Sequence, residues 1–467
     1  MENPFDPFSD PEMIELVRRF EEMADRGDFG FFDLDEFEDI LEYYLFHSRS
    51  AHFQRALGMA MKQHPGSISI QLKEAQHYIN TSRNQQALRI LENTEDAVND
   101  HDTFLTRGAL YSQLNKYEKA IESYKKGIHE SEDLDEIYAS IAYEYENLGK
   151  FDKAITFLIK ALNQNPGNES ALFELSFCCE INQQTEKIIT YLIQFLDQHP
   201  YNKSAWFNLG IAYSNQELYE KAIDAYEYTL AIDETFSSAY FNMANCYANI
   251  KDYTKAIETY METFLYEEPE PITYYYIAEC YEKQHQFEFA IQQYKKAINM
   301  DPEFADAWLG VGMCFNELGK PSIAYAYIKK AVRLSPTIPE YWFILGDVQI
   351  KLNRFPEGIS SYQKVIELDP TDPRAWLDLA GVHAELKDYQ MAVQTLRDGL
   401  KYHENQADFF YSIAYFMVLN GKHKQAHEFL FKAMDMDSEG YKRLFTTFPE
   451  AGKHPAVMDI ISSYRKE

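Results

Sequence analysis

Residues 205–233, AWFNLGIAYSNQELYEKAIDAYEYTLAID, and residues 239–267, AYFNMANCYANIKDYTKAIETYMETFLYE, start 34 residues apart and share one pattern. Residues 307–336, AWLGVGMCFNELGKPSIAYAYIKKAVRLSP, take it up again 68 residues after the second. Carried along the chain, a 34-residue ruler gives ten repeats that begin near 101, 135, 169, 203, 237, 271, 305, 339, 373 and 407, without insertion. The fourth place is bulky throughout, and all four Trp of the chain, Trp206, Trp308, Trp342 and Trp376, fall on it. The eighth place is small, as in Gly108, Gly210, Ala244 and Gly312, and an Ala recurs at the twentieth, where Ile188 and Gly358 depart from it. Within each repeat, apolar residues return at three- and four-residue spacing over two windows of about a dozen residues, the signature of two amphipathic helices. Helices that short do not persist alone, so each hairpin is expected to fold against its neighbours.

This period, with its small eighth place, its second-half Ala and its acidic or Asp-Pro turn, resembles the tetratricopeptide repeat. The resemblance implies an all-α fold, a right-handed alpha-alpha superhelix of about ten clear and two degenerate 34-residue helical hairpins with helical caps. The division expected is an acidic tail and cap helix over 1–33, two degenerate hairpins over 34–100, ten regular repeats over 101–437 and capping helices over 438–467. Leu444, Phe445, Phe448, Val457, Ile460 and Ile461 are the expected cover for the last apolar face.

Composition narrows the function. The 467 residues carry 44 Lys and Arg against 74 Asp and Glu, a net charge of −30. Such a polyanion is repelled by phosphate backbones and anionic lipid surfaces, which argues against nucleic acid and membrane as partners. It favours neutral or basic segments of proteins. The first 20 residues lack the basic and apolar regions of a signal peptide, and no window approaches 18 consecutive apolar residues, so a cytoplasmic location is expected. Five Cys fit a reducing compartment.

No catalytic or metal motif stands out. Cys178, Cys246, Cys280 and Cys314 share the tenth place of the repeat, and equivalent places on successive helices lie about 8 to 10 Å apart, too far for disulfides. They are read as packing between repeats, with no metal and no cofactor expected. Residues 25–36, DRGDFGFFDLDE, place Asp25, Gly30, Asp33 and Glu36 where a calcium loop wants them, but Gly27 and Phe29 stand where oxygen ligands belong. The stretch is read as a turn between a helix over 11–24 and another over 35–47, in a segment of 15 acidic and 3 basic residues over 1–47. HExxH, GxSxG, Walker and GxGxxG patterns are missing from the sequence, so no enzyme is expected.

In the family, the first helix of each hairpin lines a concave groove and the fifth place points into it. Here that place holds Phe173, Phe207, Phe241, Tyr275, Leu309, Phe343, Leu377 and Tyr411. Beside them, Asn208 and Asn242 hold the sixth place and Asn245 the ninth, which resembles two rungs of the asparagine ladder of the O-GlcNAc transferase superhelix. An amide both donates and accepts, so it can pair with any peptide backbone. Glu174, Glu279, Asp347 and Asp378 occupy inward places where chaperone-binding members carry a basic clamp, which favours a neutral or basic ligand. The expected function is a non-catalytic scaffold or adaptor that binds a partner peptide or helix in the groove. An assembly factor shielding a basic client, a regulatory subunit of an enzyme complex, and self-association are the alternatives.

Overall fold

The structure is a computed structural model, and it describes residues 10–26, 30–93, 101–128 and 134–464. Among them are 27 α-helices and no strand. The tail expected to precede residue 10, and positions 27–29 of the calcium-like stretch, lie outside the described residues. The chain divides into two units, Met1–Glu234 and Thr235–Glu467.

The first unit opens with α1 (Pro11–Arg26), followed by the hairpins α2/α3 (Leu34–Phe46, Ser50–Gln63) and α4/α5 (Ile68–Asn80, Asn84–Asn93). Four more hairpins follow: α6/α7 (His101–Gln113, Tyr117–Gly127), α8/α9 (Leu134–Asn147, Phe151–Gln164), α10/α11 (Glu169–Ile181, Thr185–Gln198) and α12/α13 (Lys203–Asn215, Tyr219–Ile232). The lead-in is a packed body of its own, in which Phe20 meets Phe32 and Phe37 edge-on at 5.7 and 6.4 Å. The Gln63 side chain stitches residues 30–32 to α3, accepting from Phe32 N at 3.1 Å and donating to Gly30 O at 2.9 Å. Three carboxylates of the calcium-like stretch are otherwise engaged. Asp33 and Glu36 form a reciprocal capping box at the start of α2, and Asp25 pairs with Arg55 at 2.8 Å.

The second unit runs from α14 (Ser237–Asn249) to α27 (Pro455–Tyr464) and contains six hairpins. The last of them begins with α24 (Ala407–Leu419), whose residues 409–418 are all buried. A helix apolar on every side must be covered on every side. The helices α23 (Tyr389–Gly399), α25 (His423–Met436), α26 (Tyr441–Thr447) and α27 pack around it, and Leu444, Val457, Ile460 and Ile461 are buried in that cover.

Two local devices recur with the ruler. At the turn inside every one of the ten regular hairpins, the fifteenth place has positive φ: Gly149, Gly319 and Gly421 in three repeats and non-Gly residues such as Glu217 and Lys251 in seven. The N–H of the sixteenth place reaches the carbonyl of the eleventh, as in Leu218 to Tyr213 at 2.9 Å and Asp252 to Tyr247 at 2.9 Å, the bond that closes a helix whose next residue is left-handed. At the turn between hairpins, each Trp donates its indole N–H to the carbonyl of the Pro six residues earlier: Trp206 to Pro200, Trp308 to Pro302, Trp342 to Pro336 and Trp376 to Pro370, at 2.9 to 3.0 Å. The small eighth place has its reason in Gly210, where a Cβ would stand 2.5 Å from the Tyr226 ring.

All five Cys are free and buried. Burial raises the thiols of Cys178, Cys179, Cys280 and Cys314, Cys179 to about 11 and Cys280 to about 12.

Candidate functional site

The fate of the fifth-place aromatics depends on the twenty-fourth place of the same repeat. Where that place is Tyr, its ring captures them: Phe207 lies 5.8 Å from Tyr226, Phe241 5.5 Å from Tyr260, Tyr275 5.5 Å from Tyr294 and Phe343 5.6 Å from Tyr362. These tyrosines are themselves buried, so an aromatic ring that leans on one exchanges water for packing area. In the repeat that starts at 169 the twenty-fourth place is Leu192, and Phe173 stays 58% exposed.

In the first unit, Phe173 therefore heads an open stripe on α10 with Phe177 (44% exposed) and Ile181 (51% exposed) at four-residue steps. Tyr143, on α8 at the ninth place of its repeat, is 57% exposed. Beside them lies a cavity of about 410 Å³ lined from α6, α8 and α10, with Glu144, Glu146 and Glu174 in its walls. Burial raises the carboxyl pKa of Glu146, and its contact with Glu174 pushes the same way. Asn208 is buried, and its amide nitrogen donates to Ser204 O at 2.8 Å inside its own helix. Its side chain is therefore turned into the fold instead of offered to a ligand.

In the second unit, Asn242 and Asn245 are half-buried. Asn245 Oδ1 accepts from the Tyr260 hydroxyl, which occupies the acceptor of that proposed rung. Tyr275 donates to Glu279 Oε1 at 3.1 Å, and burial, opposed by this bond, raises the Glu279 carboxyl. Tyr362 donates to Asp347 Oδ1 at 2.6 Å, and Asp347 is likewise raised by burial. Phe343 is buried under the Arg374 guanidinium, 4.7 Å from its ring centre. Tyr411 is also buried, with its hydroxyl donating to Asp437 O at 2.5 Å, because α26 and α27 close over α24. Neither ring is open to a partner, contrary to the expectation from the fifth place.

A cavity of about 900 Å³ at the C-terminal end of this unit is lined by Arg374, Asp378, Tyr415 and Arg443 among others. Asp378 is exposed, yet the protein packed around it pushes its carboxyl up to about 6, with Asp347 adding to the effect and Arg374 opposing it. Both cations are committed: Arg374 holds Glu340 and Asp372, and Arg443 holds Asp408 and Asp437, each at 2.8 Å. Neither forms a vacant clamp for a carboxylate terminus. Among the described residues, no group of three or more His, Cys, Asp or Glu converges as a metal site, and no helix is long and apolar enough to cross a membrane.

Sequence reasoning passed over Tyr143, Phe177 and Glu144. The ruler held the signal for the first two, since both sit at the ninth place, one helical turn beyond the fifth.

Comparison with known proteins gives a consistent family. Profiles of the tetratricopeptide repeat match residues 101–132, 135–168, 204–236, 237–263, 271–304, 305–338 and 349–414, together more than half of the chain. No curated protein matches. Among solved structures, the chain is similar to the C-terminal part of a TPR repeat-containing protein from Cytophaga hutchinsonii, with 22% identity over 51% of this chain and 98% of that one, at a TM-score of 0.44. A tetratricopeptide repeat protein from Parabacteroides merdae aligns with 16% identity over 50% of this chain and 93% of that one, at a TM-score of 0.40. YrrB, a TPR protein with an unusual peptide-binding site, aligns with 16% identity over 39% of this chain and 94% of its own, at 0.34. With ten hairpins in one 34-residue register and the repeat profiles matching most of them, the chain belongs to the tetratricopeptide repeat family.

Proposed function

We propose that this protein is a non-catalytic scaffold that binds a neutral or basic segment of a partner protein against the first-helix face of its repeats. Tetratricopeptide repeats generally mediate protein–protein interaction. The observation that carries the reading here is the open patch of Tyr143, Phe173, Phe177 and Ile181 beside the carboxylates of Glu146 and Glu174. Exposed aromatics at helical spacing offer the apolar anchors that dominate protein interfaces, and the carboxylates select against acidic partners. On this reading, residues 101–437 are the binding array, and 1–33 and 438–467 serve as its ends.

The test is capture of partners from native lysate by the intact chain and by a variant with Tyr143, Phe173 and Phe177 changed to Ala. All three are exposed, so the variant should keep its helical circular dichroism. A partner held by the intact chain and lost from the folded variant supports the reading. A partner held equally by both removes this patch from it. The net charge of −30 favours a second reading, an assembly factor that shields a basic client through its whole surface. Binding that collapses with salt yet ignores the triple substitution would favour it.

A further inference from the structure

The tenth place of the ruler lies between repeats, and nine of the ten regular repeats fill it with a buried apolar or Cys side chain, such as Leu110, Cys178 and Ala212. The repeat that starts at 135 puts Glu144 there instead, 1% exposed. A carboxylate in that position gives up its water and needs compensation from the protein. Burial raises the Glu144 carboxyl, Ser112 and Asn147 beside it oppose that shift, and its Oε2 has no hydrogen-bond partner. Glu144 is part of the lining of the 410 Å³ cavity, which also includes Tyr124, Glu146 and Glu174, while its Oε2 is shut off from solvent. Glu174 adds to the burial that raises the Glu146 carboxyl, and an added cation would relieve the repulsion between the two when both are ionised. The three carboxylates do not converge as metal ligands do. They surround a space sized for an organic cation, with the rings of Tyr124 and Tyr143 near it.

We propose that this cavity is a subsite for one cationic side chain, a lysine ammonium or arginine guanidinium of the bound segment, with Glu144 as its buried counter-charge and Glu146 and Glu174 as its walls. The inference rests on the scaffold reading above and adds a selectivity to it: the partner segment carries Lys or Arg next to apolar residues, the latter lying on Phe173 and Phe177. A cation placed here turns the Glu144 carboxylate toward the cavity and separates the facing carboxylates of Glu146 and Glu174.

The test uses the full chain and four pools of acetylated, amidated nonapeptides. Each pool fixes the central residue as Lys, Arg, norleucine or Glu and randomises the rest, with binding read by fluorescence anisotropy. Norleucine keeps the length of lysine and removes its charge. The Lys and Arg pools are expected to bind about 30-fold more tightly than the norleucine pool, the low end of the loss when one partner of a buried charge pair is removed. Glu144→Gln, nearly identical in shape, should reduce that preference to within about threefold, and Glu174→Gln should reduce it partially. If Glu144→Gln fails to fold, Glu174→Gln decides by the same comparison. Equal binding of all pools, or a Lys preference that survives the substitutions, overturns the subsite. Equal binding that is still lost from the Tyr143, Phe173 and Phe177 triple variant leaves the scaffold reading standing while the subsite falls. No binding by any pool, together with no captured partner, overturns both.

Discussion

Replacing Glu217 or Lys251 by Gly should tighten the hairpin in which each sits. Their φ values are 59° and 66°, in the left-handed region, and both side chains are exposed. An L-residue pays about 1–2 kcal/mol to stay there, because its Cβ crowds the following carbonyl. Glycine removes that cost but returns about 0.5–1 kcal/mol to the unfolded chain as added freedom. The net gain is about 0.5–1 kcal/mol per turn, a two- to fivefold slowing of local opening. A long repeat array does not unfold in one step, so a single global stability is a poor readout. Segment-resolved hydrogen exchange is the suitable assay. The slowing should appear in α12 and α13 for Glu217→Gly, and in α14 with its partner α15 (Tyr253–Glu262) for Lys251→Gly. Glu217→Gln controls for the lost charge. Gln216→Gly, one residue earlier at φ −94°, should accelerate exchange, since glycine there brings only disorder. If Glu217→Gly and Gln216→Gly accelerate exchange alike, the left-handed turn is not what limits these hairpins, and the argument fails.

Other outcomes follow from packing and titration. Gly210→Ala should cost about 1–3 kcal/mol by driving a methyl into the Tyr226 ring, whereas Gly58→Ala, with open space around it in α3, should gain about 0.5–1 kcal/mol; hydrogen exchange should speed up in α12 for the first and slow in α3 for the second. Asp378 is raised to about 6, so its folded form keeps a proton that the unfolded chain has released. Stability from that source is present below about 3.8 and is lost as pH climbs through about 6. His77 and His383, lowered by burial, act in the opposite sense, so the clean readout is a difference. The advantage of Asp378→Asn over the parent in hydrogen-exchange protection of the hairpin that holds it should grow between pH 4 and about 6.5 and then level off. A constant difference across that range would refute the shift. The five buried thiols should react slowly with a disulfide reagent at pH 8 and fast once the chain is unfolded; a rapid phase in the native protein would show a thiol that is neither buried nor raised.

The architecture was open to reading because it repeats. One register, seen ten times, averages out local ambiguity, and Trp206, Gly210 and Ala222 take their meaning from their copies. The binding face was harder because it depends on departures from the pattern. Phe173 and Phe207 hold the same place, yet one is open and the other leans on Tyr226; the difference lies in the twenty-fourth place, Leu192 against Tyr226. Tyr411 matches the family's groove residue, but the cap helices that bury it follow 30 residues later and lie outside the ruler. Glu144 was hidden by number, one carboxylate among 74, until its depth and its unpaired oxygen set it apart.

The indole-to-proline bonds have an optical consequence. Every tryptophan in the chain reports on the same kind of joint, the turn that links one hairpin to the next. Tryptophan emission, excited where tyrosine does not absorb, therefore samples four such joints and has no source before residue 206. Melting of the first four hairpins would pass unseen by tryptophan fluorescence while far-ultraviolet dichroism, which counts helices along the whole chain, registered it. A gap between the two curves would thus time the N-terminal hairpins against the later ones, with no label added.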